Sequence, residues 1–180
     1  MADNAGSAAV DGPVSVTAND LNIPYNDLRE WLEEAEKLGE VKYVQGASWE
    51  RDIGMAAEVV LHDEKAPCVV FEDVPGSLAG SRVLVNFFAA KRMNMTLGFP
   101  AELSKIELTD AFREAYMEDM KEIPYVMVED GPILENLMEG DDIDVEAFPT
   151  PMWHEQDGGR YIGTGSYNVT RDPDTGWINI

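Results

Sequence analysis

The sequence predicts a mixed α/β fold, because segments with helical periodicity alternate with short runs of β-forming residues in the order helix, strand, helix, strand, strand. A chain of 180 residues, 44% of them hydrophobic, can bury one good core and begin a second. We therefore expect an N-terminal α/β domain over residues 26–121, followed by part of another domain.

The first predicted helix has Asn26 as its N-cap and Gly39 as its stop. Its apolar residues recur at helical spacing: Leu28, Trp31, Leu32, Ala35 and Leu38. A short strand is predicted directly after it, over residues 41–44.

A second helix is predicted from an N-cap at Ser48 to about Lys65. Its expected inner stripe consists of Ile53, Ala56, Ala57, Val60 and Leu61. Two strands should follow, over residues 68–71 and 82–88, separated by the turn sequence Asp-Val-Pro-Gly at 73–76.

A further helical stretch is predicted over residues 89–97. Ser104 and Glu107 then stand at capping-box spacing and predict the start of another helix. Its expected buried side consists of Leu108, Phe112, Tyr116 and Met120.

Two segments lack such patterns. The first 20 residues are small and polar, with neither a basic start nor an apolar block, so residues 1–25 are expected to be a disordered leader rather than a signal peptide. Residues 122–156 contain prolines and many acidic residues but neither lysine nor arginine, which predicts a connector between domains.

Residues 157–180 predict the beginning of a second domain. The stretch from Arg160 to Thr170 is rich in β-forming residues, and the turn sequence Asp-Pro-Asp-Thr-Gly at 172–176 precedes a new strand at Trp177. This pattern predicts a hairpin. Because the returning strand has only four residues up to Ile180, we expect the domain to be truncated.

Charge and cysteine content narrow the function classes. A formal net charge of −22 disfavours binding to nucleic acid or to anionic membrane surfaces. High-salt adaptation, a cationic partner and an ordinary solvated surface all remain open explanations for this charge. The single cysteine, Cys68, lies in an apolar run, which predicts a buried thiol and suits a cytoplasmic protein.

The two histidines give little support to a catalytic site. His62 is expected near a helix end, in a structural or surface role. His154 neighbours Glu155 and Asp157, which could form a metal site or an acid/base pair, but metal-ligand spacing is lacking and a loop-structural role is favoured.

The stretch DGGRYIGTGSYNVTRDPDTGWIN, residues 157–179, resembles the entry into the cofactor domain of UbiD-family decarboxylases. Earlier segments agree with that family in order and spacing: Asp-Leu-Arg-Glu-Trp-Leu from 27, Gly-Glu at 39, Phe-Glu-Asp-Val-Pro-Gly from 71 and Arg-Val-Leu-Val-Asn from 82. The resemblance covers residues 26–180.

This resemblance implies an α/β domain followed, at residues 157–180, by the first hairpin of a split β-barrel flavin-binding domain. It implies a carboxy-lyase that carries out reversible, non-oxidative decarboxylation of an aromatic or α,β-unsaturated carboxylic acid through prenylated FMN. That family holds the flavin with a divalent metal, manganese or magnesium, and often potassium. Its full-length members form homo-oligomers and obtain the cofactor from a flavin prenyltransferase.

The resemblance also assigns roles to three residues. Asn179 matches the family's asparagine ligand to the metal, Thr164 matches a residue that lines the flavin pocket, and Ile180 begins the segment whose backbone approaches the cofactor. Asn179 as a polar residue on a half-exposed strand, and Thr164 as an ordinary β-former, remain the alternatives. The family's other metal ligands, flavin-binding arginine and acid/base network would follow Ile180, so we expect no catalytic residue in this chain and no activity from it alone.

A second hypothesis is a non-catalytic subunit or interaction module that completes its hairpin against another chain. The sequence identifies neither the carboxylic acid nor the direction of the reaction.

Overall fold

The computed structural model describes residues 21–118, 124–163 and 167–180. The chain divides into two compact units, each built from two separate segments: residues 1–41 with 87–137, and residues 42–86 with 138–180. The helices and small sheets confirm the mixed α/β class. In the described ranges, no helix has the length and apolar character needed to span a membrane. The predicted domain bounds stay a prediction, and residues 1–20 of the predicted leader, together with Met120, lie outside the described residues.

In the first unit, helix α1 (Leu28–Lys37) packs its Trp31 side chain inward, where the indole Nε1 donates a hydrogen bond to Thr96 Oγ1 at 2.8 Å. Thr96 ends helix α3 (Ala90–Thr96). The predicted cap at Asn26 is wrong: Asp27 accepts hydrogen bonds from the backbone N–H groups of Arg29 and Glu30. Both residues suit an N-cap, and the chain enters the helix only after Asp27.

Helix α4 (Lys105–Phe112) continues into a π-helical segment, Arg113–Glu118, in the same unit. The predicted capping box is present, because Ser104 and Glu107 each accept a hydrogen bond from the other's backbone N–H. The buried core of this part consists of Phe99, Leu108, Ala111 and Ala115.

The second unit contains a three-stranded sheet in the order β1-β2-β3, formed by Val41–Gln45, Cys68–Glu72 and Arg82–Val85. β2 and β3 are antiparallel, with Val69 opposite Val85 and Glu72 opposite Arg82. Helix α2 (Asp52–Leu61) contributes to the core beside the sheet. The buried residues of this core are Ala47, Ile53, Ala57, Val69, Phe71, Val74 and Val85.

Two details of this unit differ from prediction. The N-cap of α2 is Arg51 rather than Ser48, which instead donates its backbone N–H to Asp52 Oδ2. Leu61, expected in the inner stripe, is 61% exposed. The helix ends at Leu61, short of the predicted end near Lys65. The prediction of a buried Cys68 is confirmed.

Strand β3 ends at Val85, although apolar residues continue to Phe88. Asn86 takes a positive φ of 56°, which an asparagine tolerates better than most residues. Its side-chain amide donates to the carbonyl oxygens of Ala66 and Pro67, so a contact with a distant loop interrupts the strand.

The segment predicted as a connector carries three short 3₁₀ turns, at Pro132–Leu134, Gly140–Asp142 and Val145–Ala147. The predicted hairpin is present as β4 (Thr170–Arg171) and β5 (Ile178–Asn179). It is shorter than expected, since in the described residues between Arg160 and Thr170 only Thr170 is in a strand.

Candidate functional site

The turn of the β4–β5 hairpin is built around Asp172. Its carboxylate Oδ1 accepts hydrogen bonds from the backbone N–H groups of Asp174 and Thr175, both at 2.8 Å. These bonds hold the pKa of the Asp172 carboxyl below its usual value, the bond from Thr175 contributing most. Gly176 follows with φ of 74°, the left-handed conformation that glycine adopts without strain.

Backbone bonds close the same turn. Asp172 N–H donates to the Trp177 carbonyl at 2.8 Å, and Gly176 N–H donates to the Asp172 carbonyl at 3.0 Å. The ladder continues with Arg171 opposite Ile178 and Thr170 opposite Asn179. The turn therefore fixes which residues stand across from each other in the two strands.

This register determines the two faces of the hairpin. Side chains alternate between the faces of a strand, and directly opposed residues share a face. Asn179 and Thr170 thus lie on one face, with Arg171 and Ile178 on the other. Asn179 is exposed, so its amide oxygen is accessible to a ligand.

The structure describes one of the other two predicted site residues. Ile180 follows Asn179 and is 78% exposed. Thr164 lies outside the described residues, so its relation to Asn179 stays a prediction.

Arg160 fastens the segment that leads into the hairpin. Its guanidinium donates to the carbonyl oxygens of Thr150 at 2.7 Å, Glu146 at 2.8 Å and Phe148. The same group lies over the Trp49 ring, 4.6 Å from its centroid, in a cation–π arrangement. Because a guanidinium carries a fixed planar fork of donors, this single side chain holds residues 146–150 against the start of the Asp157–Asn179 stretch.

An open, mainly apolar cleft of about 540 Å³ adjoins this arginine. Trp49, Met152 and Ile162 contribute apolar walls, and Arg160 contributes a cation. Within the same unit, Gly54 of α2 lies so close to the loop that a Cβ there would stand 2.4 Å from the Trp153 carbonyl oxygen. The loop before the hairpin is therefore packed onto α2 at its backbone.

The histidines meet one carboxylate at the surface of this unit. Glu58 lies 2.8 Å from His62 Nε2 and 3.7 Å from His154 Nε2, and all three side chains are more than half exposed. The hydrogen bond from His62 is the main reason that the pKa of Glu58 is lowered. His154 also lies 3.7 Å from Asp157, whose carboxylate accepts the His154 backbone N–H. The structural or surface role of His62 and the loop-structural role of His154 stay predictions.

A divalent metal site requires several oxygen, nitrogen or sulfur donors that converge on one point. Among the described residues, no group of three or more histidine, cysteine, aspartate or glutamate side chains is arranged to hold a metal ion. Asn179 offers one oxygen donor of the type that hard cations accept, on an accessible face. This residue fits as one member of a ligand set whose other members lie elsewhere.

Comparison with known proteins gives a consistent result. Residues 125–180 match the family described as "UbiD: 3-octaprenyl-4-hydroxybenzoate carboxy-lyase Rift-related domain". This range contains the hairpin, Asn179 and the Arg160 segment. Residues 125–180 are therefore a UbiD-family domain. A pyrrole-2-carboxylic acid decarboxylase from Pseudomonas aeruginosa is 32% identical over 125 aligned residues, which cover 65% of this chain and 25% of that protein.

Solved UbiD-family relatives share the fold as well as the sequence. Vanillic acid decarboxylase of Sedimentibacter hydroxybenzoicus, in an open form with a truncated ShVdcD component, has a TM-score of 0.69 and 30% identity over 83% of this chain and 32% of its own. Its closed form has a TM-score of 0.68 and 29% identity, over 83% of this chain and 31% of that chain. The chain thus spans about a third or less of the length of these relatives. The split-barrel detail of the predicted fold stays a prediction.

Sequence reasoning missed two residues that organise this region. Asp172 was recognised only as part of a turn sequence, although an aspartate two and three residues before backbone N–H groups is a known turn-capping pattern. Arg160 had no signal of its own, because the carbonyls that it binds are 10 to 14 residues away in sequence.

Proposed function

We propose that the chain is part of a cytoplasmic, non-oxidative, reversible decarboxylase that acts on an aromatic or α,β-unsaturated carboxylic acid through prenylated FMN. The observation that carries this proposal is the hairpin: the UbiD-family stretch folds into a defined turn with an accessible Asn179. The two relatives act on pyrrole-2-carboxylic acid and vanillic acid by name, and both are aromatic acids.

In this proposal, Asn179 donates its amide oxygen to a manganese or magnesium ion that accompanies the flavin phosphate. Thr164 lines the flavin pocket, and the backbone from Ile180 onward approaches the cofactor. When bound, the flavin supplies the electron sink that loss of carbon dioxide requires. Potassium is proposed as a further ion of the site.

Other residues of this unit hold the hairpin in position. Arg160 and the packing of Gly54 against the loop fix the start of the hairpin to the core of the second unit. Sites supported in this way can hold a ligand atom to within a fraction of an ångström. The proton transfers and most of the metal ligands are assigned to chain outside residues 1–180, so these residues alone are expected to bind flavin weakly and to be inactive.

The test uses residues 1–180 and the full-length gene product, each produced together with a flavin prenyltransferase. The absorbance of bound flavin and the metal content are recorded after purification, and carbon dioxide release is measured with pyrrole-2-carboxylate and vanillate. We expect flavin, metal and activity in the longer protein only. Flavin bound by neither protein would contradict the cofactor assignment.

Asn179→Ala in the full-length product should lower the retained metal by about 10-fold or more, because a directly coordinating oxygen is removed. Asn168→Ala is the matched control, since Asn168 is another exposed asparagine of the same segment. Equal loss in both variants would contradict a specific role for Asn179.

An alternative function, a non-catalytic subunit that pairs with another chain, is favoured by one observation. The hairpin exposes large apolar residues: Trp177 is 71%, Ile178 is 53% and Ile180 is 78% exposed. Such residues and a short, open strand are suited to adding a strand from a partner. Full-length protein without flavin that copurifies stoichiometrically with a catalytic chain would favour this alternative, whereas flavin retained by a homo-oligomer would exclude it.

A further inference from the structure

We propose that Asp172 is a positioning residue, which determines the face of the hairpin on which Asn179 lies. The proposal rests on the proposed function for the meaning of that face, but its structural part concerns only this turn. The role proposed for Asp172 involves no contact with cofactor or metal. It acts through the register of the two strands.

The hairpin has few other means of fixing its register. Its strands have two residues each, and every residue from 167 to 180 is exposed. In strands with a buried side, the hydrophobic pattern selects the register, whereas exposed strands are prone to slip. Within residues 1–180, the turn is therefore the feature that selects the register.

Asp172 is the residue at which the bonds of the turn converge. Its carboxylate accepts two backbone N–H groups, its own N–H donates to Trp177, and its carbonyl accepts from Gly176. The side-chain bonds close the loop over Asp174 and Thr175 and leave Thr170 opposite Asn179. A turn one residue longer or shorter would break these bonds together.

A shift of the strand register by one residue would have a large effect on the proposed metal site. Because side chains alternate with a period of two, a shift by one residue moves Asn179 from the Thr170 face to the opposite face. The apolar Ile178 would then occupy the face from which an oxygen donor is required. A metal site that depends on Asn179 would lose this donor even though Asn179 itself is unchanged.

The test compares Asp172→Ala with Asp172→Asn, which keeps the accepting side-chain oxygen. Asp174→Ala is the matched control, because Asp174 enters the turn through its backbone N–H. In residues 1–180, NMR records the cross-strand contacts between Thr170 and Asn179. In the full-length product, retained manganese is measured for the same variants.

We expect Asp172→Ala to lose the Thr170–Asn179 contacts and to retain about 10-fold less manganese, the usual scale for residues that orient a metal ligand. Asp172→Asn and Asp174→Ala should preserve both. The recovery by asparagine distinguishes positioning from a loss of charge, and an unchanged melting temperature of residues 1–180 would exclude general unfolding.

Contacts that persist in Asp172→Ala, or manganese that is retained after the contacts are lost, would overturn the proposal. A different result would count against the proposed function alone: wild-type full-length protein that holds neither flavin nor manganese, while the NMR difference between alanine and asparagine at 172 remains. In that case Asp172 still sets the register, and Asn179 is not a metal ligand.

Discussion

The sheet and the hairpin of the second unit are both β structures, but different forces hold them. In β2, Cys68, Val70 and Phe71 are at most 1% exposed, whereas in the hairpin Trp177 and Ile178 are more than half exposed. The sheet is stabilised by burial of apolar surface, and the hairpin by hydrogen bonds in its turn. The family-specific hairpin thus lies outside the buried core of this unit and depends on its turn.

Phe71→Ala should give the largest effect on the sheet side of this comparison. Removing a fully buried phenyl ring costs about 3–5 kcal/mol, through lost burial and the cavity that remains. Urea unfolding followed by tryptophan fluorescence measures the loss. Val59→Ala is the control, because Val59 is 73% exposed and should change stability by less than about 0.5 kcal/mol. Equal effects would mean that the core does not stabilise this unit.

Gly54→Ala tests whether the loop before the hairpin belongs to the core. The added Cβ would stand 2.4 Å from the Trp153 carbonyl oxygen and 2.7 Å from that of Met152, so backbone must move. We expect a loss of about 1–3 kcal/mol, typical of overpacking, in the same unfolding measurement. Gly158→Ala, where a Cβ would meet open space, is the control. An unchanged urea midpoint for Gly54→Ala would mean that the loop does not pack tightly against α2.

Arg160→Lys tests whether the hydrogen bonds from the Arg160 guanidinium to backbone carbonyls stabilise this unit. Lysine keeps the charge but cannot reproduce the planar fork that reaches several carbonyls at once. We expect a loss of about 1–2 kcal/mol and a changed Trp49 fluorescence. Arg171→Lys, on the exposed hairpin, should leave both quantities unchanged. A silent Arg160→Lys would show that the position of this loop does not depend on the guanidinium.

The smallest effect should be the pH dependence of the hairpin. The folded state lowers the pKa of Asp172, so its carboxylate stabilises the turn above the unfolded value near 3.8 and loses this effect as the pH falls through the folded pKa. NMR contacts between Thr170 and Asn179 should therefore weaken below about pH 4. Asp172→Asn removes the titrating group and should keep the contacts across this range. Identical acid behaviour in both proteins would assign the pH dependence to another group.

Local signals were sufficient for part of the fold. The capping box at Ser104 and Glu107 was read correctly because both partners lie within one turn of helix. The hairpin turn at residues 172–176 is also predictable, because its turn residues are adjacent in sequence. Asn26 and Asp27 can each act as an N-cap. The pattern therefore predicts helix α1 correctly but not which of the two residues caps it.

Other features depended on residues far apart in sequence. The end of β3 at Val85 follows from the contact of Asn86 with a loop 19 and 20 residues earlier. The accessible position of Asn179 opposite Thr170 required the register of the folded hairpin. Its role as a metal ligand came from family resemblance and stays a prediction.

The sequence by itself determined the α/β class, the positions of most helices and the turn that reverses the chain before Trp177. These features rest on side-chain spacing, caps and turn residues, which act over a few residues. Only the tertiary structure decided where β3 stops, how Arg160 reaches three distant carbonyls and how closely Gly54 meets the loop. Those outcomes depend on which surfaces come together when the core forms, and local sequence patterns do not specify such contacts.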